Sequence, residues 1–390
     1  MTALMTLPAA GEQPPLRGVT TLPPALSREP AADRPARSPL TFYLGISEPS
    51  WVGEDSPLPD HIPVCLSCYR IRDRKSLPRA TRPVLLDSGG FSVLSKKRAD
   101  GSPARWDLTP QQFVKRVRWI IRQLGRMPDA IAIMDWMCEQ FMLARTGLTV
   151  EEHRRRTVIS ALELMWIAPD LPWMFVLQGN AEDGPDDHLR CADMYEQAGI
   201  DLAKAPMVGV GSVCRLQATD QIITLFAALD ERFAGQDVRL HGLGMKKLAY
   251  VVAPAAHSWD SQGWSLRGRN AGPCQHGLGH VHEGNCPYFA VEWYDQVLTA
   301  AARVTPEQWR RTVRARTVRR NQQTLFAPPA PHMPTLGQSL ARAARVFLPD
   351  NGDPEQTELA AALDAFRAQV TAPQPSSASQ LHRPEGNPHE

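Results

Sequence analysis

Pro83-Val84-Leu85-Leu86-Asp87-Ser88-Gly89-Gly90-Phe91 is an apolar run that opens directly into a carboxylate and a glycine turn. A short, branched apolar run bounded by glycine reads as a buried strand, so the carboxylate sits where the strand ends. Glycine admits close approach of the backbone to a ligand, and Phe91 offers a flat face to a planar ring such as a nucleobase. Asp-Ser-Gly-Gly also occurs in ordinary turns. What decides the reading is that the same arrangement recurs along the chain.

Further strand-like runs are expected at 42–46, 62–66, 130–134, 173–177, 205–210, 238–240 and 251–256, in addition to 83–86. Helical patterns fit between several of them, at 109–124 (opening with Thr-Pro), 149–167, 188–198 and 218–233. Such alternation predicts a parallel sheet, and about eight strands over roughly 220 residues suit a closed (β/α)8 barrel of the TIM type better than an open sheet. Polar residues that look out of place follow the runs: Asp87, Asp135, Gln178-Gly179, Gly209-Val210-Gly211-Ser212, His241-Gly242-Leu243-Gly244 and Asp260-Ser261. In a barrel these positions converge on one rim, where active sites of this fold are assembled.

Composition narrows the class. A chain of 390 residues with 43% hydrophobic and 22% charged content has the balance of a globular enzyme, and a net charge of +2 selects no partner. No window approaches the roughly 18 to 20 apolar residues of a membrane span, and Pro8 and Pro14 interrupt any leader-like start, so a soluble, cytoplasmic protein without membrane association is expected. The seven scattered cysteines point to reduced thiols and a metal site rather than a disulfide framework. The chain divides into an N-terminal tail (1–38), a barrel with its metal module (39–305), and a basic segment with a largely flexible C-terminal tail (306–390). Within that tail Leu359, Leu363, Phe366 and Val370 fall at helical spacing.

Cys274-Gln275-His276, His280, His282 and Cys286 place five good ligands on a short stretch after the last run. Four Cys/His ligands at loop spacing are the common solution for structural zinc, and the expected set is Cys274, His276, His282 and Cys286, with His280 as rival fourth ligand. A His-rich turn with two buried cysteines is the non-metal alternative. Cys65 and Cys68 form a lone CxxC and read as core residues. Arg310, Arg311, Arg314, Arg316, Arg319 and Arg320, with Trp309 among them, form either a phosphate-contacting cluster or a solvated charged face.

Taken in order, Asp-Ser-Gly-Gly-aromatic, an Asp after a strand, Val-Leu-Gln-Gly, a Gly-x-Gly strand end, His-Gly-x-Gly, and an Asp followed by Trp-Ser and paired Arg resemble the motif series of tRNA-guanine transglycosylases. Asp135-Trp136-Met137-Cys138-Glu139, Val176-Leu177-Gln178-Gly179, Gly209-Val210-Gly211-Ser212-Val213-Cys214-Arg215 and Ser258-Trp259-Asp260-Ser261-Gln262-Gly263-Trp264-Ser265 are closer still to their DNA-acting relatives, the deazapurine DNA modification protein A (DpdA) family. The likeness covers roughly residues 40 to 300 and neither tail.

The resemblance implies replacement of guanine in DNA by a 7-deazaguanine such as preQ0 through a covalent glycosyl-enzyme intermediate. DNA, that base and other DNA-modification proteins would be the partners, and zinc the cofactor. Base exchange at C1′ passes through an oxocarbenium-like state that a carboxylate on the opposite face can capture, by the two-carboxylate logic of retaining glycosidases. Asp260 is the expected nucleophile and Asp87 the general acid and base. An N-cap or turn aspartate is the bland reading of Asp260.

A guanine-like base presents N1–H and an amine as donors and O6 as acceptor. Asp135 suits the donors, while Gln178 and backbone N–H groups near Gly209 suit O6. Ser88, Gly89, Gly90, Gly179 and Gly211 line the same turns; Phe91 is expected to stack on the ring and Met245 to cover its other face. Arg267 and Arg269, close to Asp260, are expected to contact the nucleic-acid backbone. Ser92 stands where transglycosylases have Gln, the register of Met245 is offset from theirs, and their zinc spacing is Cys-x-Cys-x-x-Cys with a distant His. The same chemistry on tRNA is the first alternative, because contacts to the 2′-OH leave no motif here. A catalytically silent nucleic-acid-binding subunit is the second, and the presence of both aspartates argues against it.

Overall fold

The computed structural model describes residues 40–216 and 219–324. Strands β1 (Thr41–Gly45), β2 (Val64–Ser67), β3 (Val84–Asp87), β4 (Ala130–Ala132), β5 (Trp173–Leu177), β6 (Val208–Val210), β7 (Leu240–Gly242) and β8 (Ser258–Ser261) form a closed barrel in sequence order. Every neighbouring pair is parallel, and β1 closes on β8 with Thr41 opposite Ser258 and Leu44 opposite Ser261. The expected (β/α)8 architecture is therefore present.

Around the barrel lie α1 (Gly90–Leu94), α2 (Pro110–Leu124), α3 (Gln140–Thr146), α4 (Val150–Ile167), α5 (Asp186–Gln197), α6 (Thr219–Arg232), α7 (Gly263–Arg269), α8 (Pro287–Ala302) and α9 (Pro306–Thr324). Local chemistry sets their ends. Thr109 and Gln112 form a reciprocal capping box at the start of α2, Gly125 closes it in the left-handed conformation, and Thr149 caps α4 by accepting from Glu152 N. Phe113, Val117, Ile120 and Leu124 line the buried face of α2 and join the main core between helices and barrel.

Inside the barrel a second cluster of Tyr43, Cys65, Leu85, Ala130, Ala132, Met174 and Met207 fills the space below the rim. Side chains alternate across a strand, so Asp87 points to the same side as Leu85, and Asp260 to the same side as Ser258. The fold thus delivers its carboxylates to the interior end of the barrel, at the carboxyl edge of the strands.

One strand differs from expectation. Residues 251–256 are not a strand: a 3-10 turn covers Lys247–Val252, Pro254 interrupts the run, and Val252, Ala255 and Ala256 bury themselves in the outer core. The eighth strand is the more polar Ser258–Ser261, which places Asp260 within the sheet. Three connections lack an α-helix: β1 leads to β2 through the short turn Pro49–Val52, β2 leads to β3 through turns alone, and β7 leads to β8 through the turn Lys247–Val252. Buried Arg82 secures the first of these, donating to Pro59 O at 2.7 Å and Leu58 O at 3.1 Å.

Trp309 of α9 is buried in the main core and donates its Nε1 to Asp230 Oδ2 at 3.1 Å, so this ring is structural. Arg310, Arg311 and Arg314 are exposed on the same helix, whereas the side chains of Arg316, Arg319 and Arg320 lie outside the described set. The expected tail at 1–38 and the helical spacing from Leu359 to Val370 also fall outside the described residues. Among the described residues no helix is long and apolar enough to cross a membrane.

Candidate active site and metal centre

Asp87 ends β3, and its Oδ2 accepts from Gly89 N at 3.0 Å, tying the carboxylate to the turn that follows. Gly89 adopts φ 84°, and a Cβ there would stand 2.9 Å from Tyr69 N, so glycine is required on both counts. Burial and the neighbouring Asp260 carboxylate push Asp87 up to about 6. Ser88 turns the other way: its Oγ lies 3.3 Å from Asp135 Oδ1 and accepts from Gly90 N at 3.2 Å.

Asp135 is buried beyond the end of β4. Gln178 Nε2 donates to its Oδ2 at 2.5 Å, and burial with the Asp87 carboxylate pushes Asp135 up to about 7. The Gln178 carbonyl in turn accepts from Ser212 Oγ at 2.7 Å, so its amide is held at both ends. Ser212 is the one non-glycine with positive φ among the described residues, at 55°. That conformation also brings its Oγ within 3.2 Å of Glu139 Oε2 and lets it accept from Cys138 N at 2.7 Å. Burial raises Glu139 as well. Gly211 leaves room for this network, since a Cβ there would overlap the Gln178 amide. Gly179 likewise makes space for the start of α5, where a Cβ would come within 2.6 Å of His188 Nδ1.

Asp260 Oδ1 receives the Gly244 N–H at 2.8 Å and lies 3.2 Å from His241 Nε2. His241 is fully buried, with Nδ1 2.8 Å from Ser258 Oγ and its ring edge-on to Tyr43 at 6.0 Å. The sequence marks this histidine only as part of a His-Gly-x-Gly strand end and assigns it no role. Glu139 and Ser212 are equally visible inside their motif stretches, but nothing in their spacing shows that Ser212 meets both Glu139 and Gln178.

The remaining expected residues divide. Gly209 lies in β6 with Val176 and Leu243 against its Cα, and Gly211 N is occupied by Leu177 O at 2.9 Å, so that N–H serves the barrel ladder. Met245 is fully buried over Gly242. Phe91 is 40% exposed and sits at the rim, 5.8 Å from the Phe141 ring, with the Arg215 guanidinium 4.2 Å over Phe141. Arg267 and Arg269 are exposed on α7, the helix that follows the Asp260 strand.

That helix leads into the metal-ligand cluster. Gly268 lets the two pack, since a Cβ would stand 2.6 Å from the Glu283 backbone, and Ser265 Oγ donates to Gly284 O at 2.7 Å. Cys274, His276, Glu283 and Cys286 each offer a ligand atom within 4.8 Å of the others, a set that can hold a metal ion. Cys286 Sγ is 3.4 Å from His276 Nδ1, which is 3.2 Å from Glu283 Oε2, separations that fit tetrahedral bonds of about 2.0 to 2.3 Å. Outer contacts orient the donors: Gln275 N holds the other Glu283 oxygen at 2.6 Å, and Glu292 Oε1 lies 3.2 Å from His276 Nε2.

Glu283 is thus a candidate ligand that the sequence alone does not name, while His280 and His282 stand outside the cluster. His282 caps the turn Glu283–Asn285, its Nδ1 accepting from Gly284 N at 3.1 Å.

A closed (β/α)8 barrel whose carboxyl rim gathers three aspartates, with a Cys/His/Glu cluster one helix beyond the last strand, is consistent with a transglycosylase-type enzyme. The family model described as DeoxyPurine in DNA protein A, DpdA, matches residues 39–325, and the chain belongs to that family. Membership supports a part in deazapurine modification of DNA. No curated protein matches the chain.

Proposed function

We propose that this protein is a DNA-guanine transglycosylase that replaces guanine with a 7-deazaguanine of the preQ0 type. The observation that carries the reading is the gathering of Asp87 at the end of β3, Asp135 just beyond β4 and Asp260 in β8 at one rim, with Ser88 Oγ 3.3 Å from Asp135 Oδ1. Like charges gathered in a largely enclosed site are costly and serve no packing purpose, which favours a chemical role. Family membership supplies the substrate class.

In the reading proposed, Asp260 attacks C1′ as the bond from C1′ to guanine N9 breaks, and protonated Asp87 gives its proton to the departing base. The product is a glycosyl ester on Asp260. The incoming 7-deazaguanine then attacks C1′ through N9, its N9 proton passes to the Asp87 carboxylate, and the ester bond breaks to restore Asp260. Asp135 accepts from N1–H and the exocyclic amine, and Gln178 and Ser212 hold it in place. Arg267 and Arg269 contact the phosphate backbone. Cys274, His276, Glu283 and Cys286 would hold zinc, which stabilises the fold of the segment after α7 rather than taking part in exchange.

The test is exchange of a labelled 7-deazaguanine into guanine-containing DNA, single-stranded and duplex, beside unmodified tRNA under matched conditions. Label should enter DNA, at a rate that falls steeply with salt. Label entering tRNA alone would replace the DNA assignment with the RNA one.

A further inference from the structure

The helix-free connection from β2 to β3 leaves a gap in the shell around the barrel. A cavity of about 630 Å³ opens there between α2 and the segment after β2, and Ser88 of the active-site turn forms part of its wall. On α2 the residues Lys115, Trp119 and Arg122 recur at helical spacing and face this space together. Opposite them stand Tyr69, Arg74 and Lys75.

The lining carries six Arg and Lys side chains against the single carboxylate of Asp107. Its rings are cation platforms: the Arg116 guanidinium lies 4.6 Å from the Trp119 ring, and the Tyr69 ring carries both the Arg72 guanidinium at 4.1 Å and the Lys96 ammonium at 4.6 Å. Tyr69 Oη and Arg116 Nε are enclosed yet have no hydrogen-bond partner among the described residues. A merely solvated charged face would be convex and would not combine aromatic walls with enclosed donors left unpaired. Trp106, in the same wall, donates its Nε1 to Asp135 O at 3.3 Å, so cavity and rim share side chains.

We propose that this cavity binds a nucleotide unit, with the base stacked on the Trp119 ring and the phosphate held by Lys115, Arg122, Arg74 and Lys75. Stacking and cationic contact together are the way single strands are gripped without sequence readout. The contact with Ser88 favours the nucleotide beside the exchanged base as the occupant, a choice of source that rests on the base-exchange reading. A free mononucleotide presents the same chemistry.

The test is binding of a fluorescent oligothymidylate, which contains no guanine, to the full chain at several salt concentrations, together with photocrosslinking through 4-thiothymidine. Lys115→Gln with Arg122→Gln, both at exposed positions, should weaken binding at least tenfold at low salt and reduce the salt slope by about two. Trp119→Leu should weaken it about fivefold or more, and crosslinks should map to the peptides carrying Tyr69 or Trp119. Competition by free thymidine monophosphate at a concentration comparable to that of the oligomer would support the cavity with a free nucleotide as occupant; competition only in large excess supports the strand. Unchanged affinity and slope in the double variant, with crosslinks elsewhere, would overturn the proposal. Because the readout is binding, a chain that crosslinks here but never exchanges guanine would remove the base-exchange reading and leave the cavity standing.

Discussion

His241 Nε2 stands 3.2 Å from Asp260 Oδ1, and the Gly244 N–H reaches that same oxygen at 2.8 Å. Contacts from the buried strand end and the glycine turn hold the carboxylate at a defined angle, which is what attack on C1′ demands. Asp260→Asn should abolish exchange and yield no trapped glycosyl adduct, while leaving the circular dichroism spectrum and metal content unchanged. His241→Gln should lower kcat about 10- to 100-fold with little change in KM, since it removes orientation rather than binding. Steady turnover by Asp260→Asn would take the nucleophile away from that residue.

In the proposed reaction Asp87, pushed up to about 6, is protonated to release guanine and ionised to accept the proton of the incoming base. Single-turnover release of guanine should therefore slow as pH rises through about 6, and the second half-reaction should speed up over the same window. Asp87→Asn should flatten both profiles. Parallel profiles in wild type and variant would assign the proton transfer elsewhere.

In the proposed reaction Asp135 binds the base as a carboxylate, and burial with the Asp87 carboxylate holds it up at about 7. The KM for 7-deazaguanine should rise as pH falls below that value, because the neutral acid loses an acceptor. Stability moves the opposite way. With the folded-state value above the unfolded one of 3.8, the native chain binds more protons, so stability declines as pH rises from about 4 to about 7. Asp135→Asn should accordingly be more stable than wild type at pH 8 by on the order of 4 kcal/mol, and the gain should vanish near pH 4. Chemical denaturation at the two pH values measures it.

Metal content separates the ligand sets. One zinc per chain is expected, lost in Cys274→Ser, Cys286→Ser and Glu283→Ala with much of the folded protein, and retained in His282→Asn. Stoichiometric zinc in Glu283→Ala and none in His282→Asn would restore histidine as the fourth ligand.

Gly211→Ala tests the polar network directly. The added methyl would press on the Gln178 amide and move it from Asp135, costing about 1 to 3 kcal/mol in stability and raising the KM for the base. Unchanged KM and melting temperature would show that the network tolerates displacement.

Much of this architecture is legible in local sequence. In Val84-Leu85-Leu86-Asp87 the pleat puts Asp87 on the same side as Leu85, because it repeats every two residues whatever the rest of the chain does. Thr109 with Gln112, and Gly125 beyond, mark a helix by groups that meet within one turn. Asp87, Asp135, Gln178 and Asp260 could thus be assigned to one rim from strand order alone. Local patterning failed where burial came from elsewhere. Val251 and Val252 looked like a strand but serve the outer core, while Ser258–Ser261 is polar because its inward side meets His241 rather than oil. The pairing of His241 with Asp260, the hold of Ser212 on Gln178 and the entry of Glu283 into the ligand cluster each depend on groups brought together by barrel closure or by a turn's backbone conformation. Sequence order decides which side chains reach the rim; only the closed register of the eight strands and the packing of α7 decide which of them touch, because those distances are set by the whole sheet and not by any neighbour in the chain.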